Sequence, residues 1–401
     1  MVKQLKKSSK GCMINMKITS QNPKKYSEED KIMIIMRLKI HNFFAFKNFE
    51  MNMSYPKKIV DSYIEKEYLK DRGNFRYKKI NILMGANATG KTSLAQMLMI
   101  VFNFIHKKES GKLLSKVCDN SKEALFSMDF VVESYKLYRL DLRVAPEKSN
   151  NETQKLKVFT RVVDINKKDS YETCVKKIEA IPINFEQDMA DELEKIEQLG
   201  WMFSYPSDLL GGIVKCSDDP QYLKILNYTL RALDPSILKV EKVDNVKNTY
   251  VIRMEKQDLV IQDGEVIKDN ILSSGTQSGI GIALMLTSIC NGECGFYYCD
   301  EKFSFVHSDV EKAFLNVMIS QLKDNEQLFF TTHNTDILDL PLPKHTFTFL
   351  KKDVNDLECP IKCIDASSYL KRNTDSLRNA VENDLFSVAP NLELIYKMAE
   401  I

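Results

Sequence analysis

Eight consecutive residues, Gly85-Ala-Asn-Ala-Thr-Gly-Lys-Thr92, fit the pattern G-x-x-x-x-G-K-[ST]. Glycines at this spacing let backbone N–H groups face an anion, and a helix beginning at the lysine adds the favourable end of its dipole. Such a loop holds the phosphates of a nucleotide. Its expected contact residues are Gly85, Asn87, Ala88, Thr89, Gly90, Lys91, Thr92 and Ser93. The Lys91 ammonium would reach the β- and γ-phosphates, and the Thr92 hydroxyl would hold Mg²⁺. ATP with Mg²⁺ is the expected ligand.

Three later segments could complete a reaction site. Gly295-Phe-Tyr-Tyr-Cys-Asp-Glu301 is an apolar run ending in two carboxylates. Asp300 suits Mg²⁺ ligation by way of water, and Glu301, pointing differently from its neighbour, suits a general base for the attacking water. Leu328-Phe-Phe-Thr-Thr-His333 delivers an imidazole to the end of a second apolar run, where it would hydrogen-bond the γ-phosphate. Leu272-Ser-Ser-Gly275, followed by Thr276-Gln277 and an apolar stretch, has the small residues of a helix-capping loop and offers a second anion site. Taken singly, each of these three is better explained by a solvated strand end, a structural or solvated histidine or a plain helix cap.

Positioning these groups requires a strand before each of them. Ile80 to Met84 is a short apolar run entering the glycine loop, and helical composition continues from Lys91 through Phe104, giving strand, loop and helix in order. Ile34 to Ile40 and the alternating Phe49, Met51 and Met53 predict two earlier strands. Phe126 to Val132 and Tyr138 to Val144 alternate around a turn at Glu133-Ser134, predicting a hairpin. Ala145 to Asp169 is polar and weakly patterned, and Asn184 to Ala232 reads as helical with breaks at Pro206 and Gly211-Gly212. Strand character resumes at Thr249 to Met254, with Asp263-Gly264 as a tight hairpin turn. The interval from Thr92 to Leu272 lacks the heptads of a long coiled-coil arm.

The expected layout is a Lys- and Ser-rich extension over residues 1–31 and one domain over 32–401. Within that domain the reading is a phosphate-loop lobe (32–175), a helical insertion (176–235), a lobe carrying the remaining motifs (236–350) and a C-terminal segment (351–401). With 57 Lys and Arg against 55 Asp and Glu, the net charge of +2 gives no general attraction to nucleic acid or membrane, so any DNA site must be a local patch. Nine cysteines without a disulfide framework, and no leader pattern, predict a reducing cytoplasm. The pairs Cys290/Cys294 and Cys359/Cys363 read as buried structural thiols. Apolar runs such as Met97 to Phe102 and Ile280 to Leu286 are far shorter than the roughly 20 residues that span a bilayer, so no membrane segment is expected.

The four motifs, in this order and approximate spacing, resemble those of ABC-type ATPase heads. The resemblance is to the branch containing RecF, the SMC proteins and the overcoming-lysogenisation-defect nucleases. Within it the chain looks like the compact AAA-labelled ATPases of bacterial phage-defence operons such as PARIS and Septu. Met36-Arg-Leu-Lys-Ile-His-Asn-Phe-Phe-Ala-Phe-Lys-Asn48, the Gly-Ala-Asn form of the phosphate loop, and Thr332-His-Asn-Thr-Asp-Ile-Leu338 carry that likeness. It implies an α/β P-loop NTPase of ABC-ATPase type, with a mixed sheet core, an antiparallel β subdomain and a helical lobe. It also implies head-to-tail assembly as a homodimer or higher oligomer, in which Ser273, Ser274 and Gly275 of one copy complete the site built on Lys91, Asp300 and Glu301 of another. Departures from the family pattern are LSSGT in place of LSGGQ, Lys302 in place of proline, and a Q-loop glutamine that cannot be placed.

Only 68 residues follow His333, without an acidic cluster suited to two metals, so no built-in nuclease is expected. The first functional expectation is a Mg²⁺-dependent ATPase controlling a separate effector, a nuclease or toxin, in anti-phage defence. A RecF-like DNA-maintenance ATPase that binds nucleic acid, and an ATP-locked scaffold with little turnover, are the alternatives.

Overall fold

The computed structural model describes residues 32–400 except 58–61, 133, 148–154, 184–187, 206–218, 244–245, 247–248, 256, 263–264, 268–272, 373–374 and 387–392. The predicted extension, Glu133, Pro206, Gly211-Gly212, Asp263-Gly264 and Leu272 lie outside the described residues.

The chain opens with β1 (Met33–His41), β2 (Phe49–Asn52), the small hairpin β3 (Tyr68–Leu69) and β4 (Arg72–Arg76), then β5 (Ile80–Met84) and α1 (Lys91–Lys107). After α2 (Gly111–Leu114) come β6 (Ala124–Val132), β7 (Lys136–Val144) and β8 (Leu156–Asp164), with α3 (Tyr171–Glu179) and α4 (Met189–Glu194) behind them. β9 (Trp201–Ser204) and α5 (Pro220–Leu233) lead into β10 (Ile237–Lys242), β11 (Thr249–Met254), β12 (Asp258–Gln262), β13 (Glu265–Ile267) and α6 (Ser274–Asn291). The rest is β14 (Phe296–Asp300), α7 (Ser308–Gln321), β15 (Gln327–Thr331), β16 (Phe347–Lys352), β17 (Ile361–Asp365) and the short helices α8 (Ala366–Tyr369), α9 (Leu377–Glu382) and α10 (Glu393–Lys397).

This is an α/β fold with a mixed sheet core, in which a glycine loop joins β5 to α1, beside antiparallel sheets and helices. Its core is a six-stranded sheet in the order β17-β16-β5-β15-β14-β9, parallel except for the edge strand β17. β5, β14 and β15 are buried along their whole length. A parallel sheet covered on both faces requires such unbroken apolar runs, which is why these three strands do not alternate. In register, Asp300 pairs with Thr331 and Thr331 with Leu83, so the three strands end together. The carboxyl ends of neighbouring parallel strands are where open α/β sheets place ligands.

A five-stranded antiparallel sheet, β2-β1-β6-β7-β8, packs across α1 from the core sheet. One apolar core runs from Phe126, Met128 and Leu140 of that sheet through Leu94, Leu98 and Phe102 of α1 to Phe296, Tyr298 and Phe329. Gln327 ties the two sheets: its buried amide accepts from Ile35 N (2.9 Å) and donates to Ile35 O (3.1 Å) and Lys78 O (3.0 Å). The antiparallel meander β10-β11-β12-β13 forms a separate core with α5 and α6 through Tyr222, Leu226, Tyr250, Ile252 and Ile280.

Several expectations need correction. Residues 176–235 are not a helical insertion, because Trp201–Ser204 is the edge strand of the core sheet beside β14. Four residues are too few to show a period; pairing with β14 makes this segment a strand, and Trp201 and Phe203 pack on Phe102. The polar stretch before Asp169 contains β8, a nine-residue strand at the end of its sheet, whose outward residues are charged. The lobe that carries α6 is half β meander. β12 and β13 pair with Gln262 opposite Glu265. Cys290, Cys294, Cys359 and Cys363 are half-buried instead of buried. Among the described residues no helix is long and apolar enough to cross a membrane.

Candidate nucleotide site

The phosphate loop needs its glycines for two separate reasons. Gly85 (φ +152°) passes so close to β16 that a Cβ would lie 2.4 Å from the Leu350 carbonyl oxygen. Gly90 (φ +103°) has the left-handed backbone that starts α1, and a Cβ there would press on the Phe46 ring at 3.1 Å. No side chain caps α1 and no acid occupies its first turn, which leaves that end of the helix to an anion. Thr89 closes the loop by donating from Oγ1 to Ala86 O (2.8 Å). Asn87, Ala88 and Thr92 are exposed, and Ser93 is half-buried.

Lys91 is folded back over this loop, only 4% exposed. Its ammonium donates to Gly85 O (2.7 Å) and Ala86 O (3.3 Å) and stands 3.2 Å from Glu301 Oε1. The positive charge is therefore already at the cradle.

Asp300 is fully buried. Oδ1 accepts from Thr331 Oγ1 (2.7 Å), whereas Oδ2 has no hydrogen-bond partner. Burial pushes the Asp300 carboxyl up, against the pull of the Thr331 and Thr92 hydroxyls and the Lys91 charge. Thr92 stands near enough to favour the charge but does not satisfy Oδ2. A buried carboxylate oxygen left open beside a hydroxyl is a donor set that fits a hard cation such as Mg²⁺.

The backbone bends sharply after Asp300. Glu301 has φ +42°, a conformation that costs a non-glycine residue on the order of 1 kcal/mol and is held here by its N–H, bonded to Thr331 Oγ1 (2.9 Å) and Thr331 O (3.2 Å). The bend sends Glu301 away from Asp300 and toward Lys91. Thr331 thus serves both acids, a role the sequence reading did not assign. Its signal was the doubled threonine before His333.

His333 is exposed and lines a cavity of about 220 Å³ together with Glu301, Ser308, Glu311, Thr332 and Asn334. A larger cavity of about 520 Å³ opens between β2 and the β16–β17 hairpin, lined by Lys351, Cys359, Tyr369 and Phe386, and contains none of the expected site residues.

Ser273 caps α6, accepting from Thr276 N (3.1 Å) as a capping loop should. Ser273 and Ser274 are exposed. Gly275 abuts the turn after the two acids, where a Cβ would lie 2.8 Å from Phe305 O. Thr276 reaches Asp234 (3.4 Å), so the partners of this loop are Asp234 and Phe305 and not the phosphate loop. The structure thus brings together Lys91, Thr92, Asp300, Glu301 and His333, and leaves Ser273 to Gly275 apart from them.

No protein-family model and no curated protein matches the chain. Among solved structures it is similar to the SMC head domain from Thermotoga maritima, at 11% identity and TM-score 0.41 over 82% of this chain and 98% of that one. The SMC head bound to the C-terminal winged-helix domain of ScpA gives 12% identity and TM-score 0.49 over 84% and 99%. The recombination mediator RecF, solved as RecF-ATPrS, gives 11% and 0.41 over 82% and 98%.

Proposed function

We propose that this chain is an ABC-type ATPase head that binds ATP with Mg²⁺ between two copies and hydrolyses it. The observation carrying this reading is the convergence of a buried lysine, an unsatisfied buried aspartate and an adjacent, differently directed glutamate at the ends of neighbouring parallel strands. The uncapped start of α1 and Lys91 would bind the phosphates. Thr92 and Asp300 would hold Mg²⁺, which would supply positive charge to stabilise the phosphates during transfer. Glu301 would leave Lys91 when the phosphates arrive and accept the proton of the attacking water. His333, at the mouth of the same cavity, would donate to the γ-phosphate.

Head-to-tail assembly is supported by the exposed Ser273–Ser274 end of α6, which contacts none of Lys91, Thr92, Asp300 or Glu301 among the described residues. ATP would then join two surfaces, and loss of the γ-phosphate would release them. Following the motif resemblance, we assign this cycle to the control of a separate effector, a nuclease or toxin, in bacterial anti-phage defence. Purification with and without ATP tests that step: co-purification of a nuclease-like partner supports it, and salt-sensitive DNA binding by the chain alone would redirect it to DNA maintenance. The hydrolysis itself is tested by Glu301→Gln, expected to bind ATP and accumulate as a closed dimer without releasing phosphate. Equal turnover by wild type and variant would remove Glu301 from its role.

A further inference from the structure

Glu311 was not singled out by any motif, yet it lies in the cavity that holds Glu301 and His333. It sits in the first turn of α7, where an acid favours the helix dipole. That service alone does not account for its position. Asp309, in the same turn, performs it from the surface with its side chain 74% exposed, whereas Glu311 is 4% exposed and turned inward.

The partners of Glu311 are specific. Oε2 accepts from Asn334 Nδ2 (2.7 Å), and the Thr332 hydroxyl also stabilises the carboxylate. These two residues flank His333 in the chain. Asn334 is fixed from its other side as well, since its Oδ1 accepts from Asp336 N (2.9 Å) and Ser308 Oγ lies 3.1 Å from its Nδ2. His333 itself projects, exposed, between two residues that a single buried carboxylate grips.

We infer that Glu311 is a positioning residue for hydrolysis, holding the Thr332–Asn334 turn so that the His333 imidazole faces the γ-phosphate. This rests on the proposed ATPase reading. Burial raises the Glu311 carboxyl, and the Asn334 and Thr332 bonds oppose that rise, as expected of an acid retained inside a site by its contacts. Its effect reaches the reaction only through His333, so it should matter to turnover and not to ATP capture.

The test is a double-mutant cycle on ATP hydrolysis by the full chain. Glu311→Ala is expected to lower kcat about tenfold with KM for ATP little changed, and Glu311→Gln to retain most activity, because its amide oxygen accepts the same Asn334 bond. Asn334→Ala, which cuts the bond from the other side, should copy Glu311→Ala. In a His333→Ala background, Glu311→Ala should add no further loss. Multiplying losses, or a raised KM at unchanged kcat, would overturn the inference. If the wild type hydrolyses no ATP, the ATPase reading fails, and Glu311 is then judged by the ring-proton NMR signal of His333. The chain has five histidines, so this signal is identified by its loss in His333→Ala. It should move and broaden in Glu311→Ala and stay near its place in Glu311→Gln; an unmoved signal in Glu311→Ala overturns the positioning role.

Discussion

At the phosphate loop, the charged groups are answered within the chain: Lys91 is buried against two loop carbonyls and Glu301, and Thr331 supports both acids. At the start of α6, Ser273 and Ser274 are exposed, and the nearest buttress is the turn that carries Phe305, itself 63% exposed. Both regions are glycine-containing loops that start helices. One is closed on itself with a carboxylate oxygen left open for a cation, and the other is capped by its own Ser273 and leaves two serines exposed. Helix N-termini favour negative charge, so in the head-to-tail reading the exposed serines of the second end would face a phosphate held by another copy. A protein with one preformed half-site and one outward half-site acquires a complete site by pairing with itself, which supports the head-to-tail reading.

The largest effect expected is at the closed end. Glu301→Gln should lower kcat by on the order of 100-fold or more, the range for a lost general base, with ATP still bound. Lys91→Ala should instead lose ATP binding, measured by fluorescent-nucleotide titration. The next test addresses the outward end. Ser274→Arg should leave ATP binding intact and stop turnover, because the bulky cation occupies the partner's phosphate position. Mixed with Lys91→Ala, it should regain about a quarter of wild-type activity, since random pairing makes half the dimers mixed, each with one intact site. No recovery, with mixed dimers shown to form, would sink the comparison.

The closed end was the more legible in sequence, for a physical reason. A phosphate loop is continuous, and the backbone geometry it demands is written as glycines at fixed spacing. Asp300, Glu301 and His333 were found because each ends an apolar run that a parallel sheet requires. Thr331 and Glu311 were not found. Their roles come from strand register and from the approach of α7 to the His333 turn, neither of which has a local spacing. β9 escaped for the same reason: Trp201 to Ser204 is a strand only because β14 lies beside it. The capping role of Ser273 could be read directly, but its buttress, the Phe305 carbonyl, could not.

That buttress supplies a test of intermediate size. In Gly275→Ala the new methyl would meet the Phe305 carbonyl oxygen at 2.8 Å, and a backbone atom cannot swing aside as a side-chain end can. Overpacking of this kind costs about 1–3 kcal/mol, and here it would displace the start of α6 from the turn following Glu301. Turnover should fall severalfold with the phosphate loop untouched. Gly281→Ala is the comparison on the same helix: its methyl would meet the buried Lys302 side chain, whose ammonium is held by Tyr205 O (2.7 Å) but can shift more readily than a backbone carbonyl, so a smaller loss is expected. Equal effects at the two glycines would show that α6 is merely sensitive to volume and that Phe305 has no special contact with it.

The smallest effect is on stability and concerns the open carboxylate, and its sign distinguishes a binding site from a structural one. Burial raises Asp300 above its unfolded value, so the folded chain holds that proton more tightly than the unfolded chain does. The stabilisation this gives is fully present below the unfolded value and is lost as pH rises through the folded one. Near neutrality, the ionised group therefore burdens the nucleotide-free fold. Asp300→Asn removes that charge and should raise the melting midpoint at pH 7 by about 1–2 °C in the absence of nucleotide, while abolishing Mg²⁺-dependent hydrolysis. The gain should shrink as pH is lowered and the wild-type carboxyl takes up its proton. Adding Mg²⁺ and ATP should reverse the order of the two proteins, because only the wild type gains a ligand for the open oxygen. A variant less stable than wild type at every pH would mean that the Asp300 charge already serves the nucleotide-free fold. The contrast between a site prepared for a cation and a loop prepared for a partner would then lose its first half.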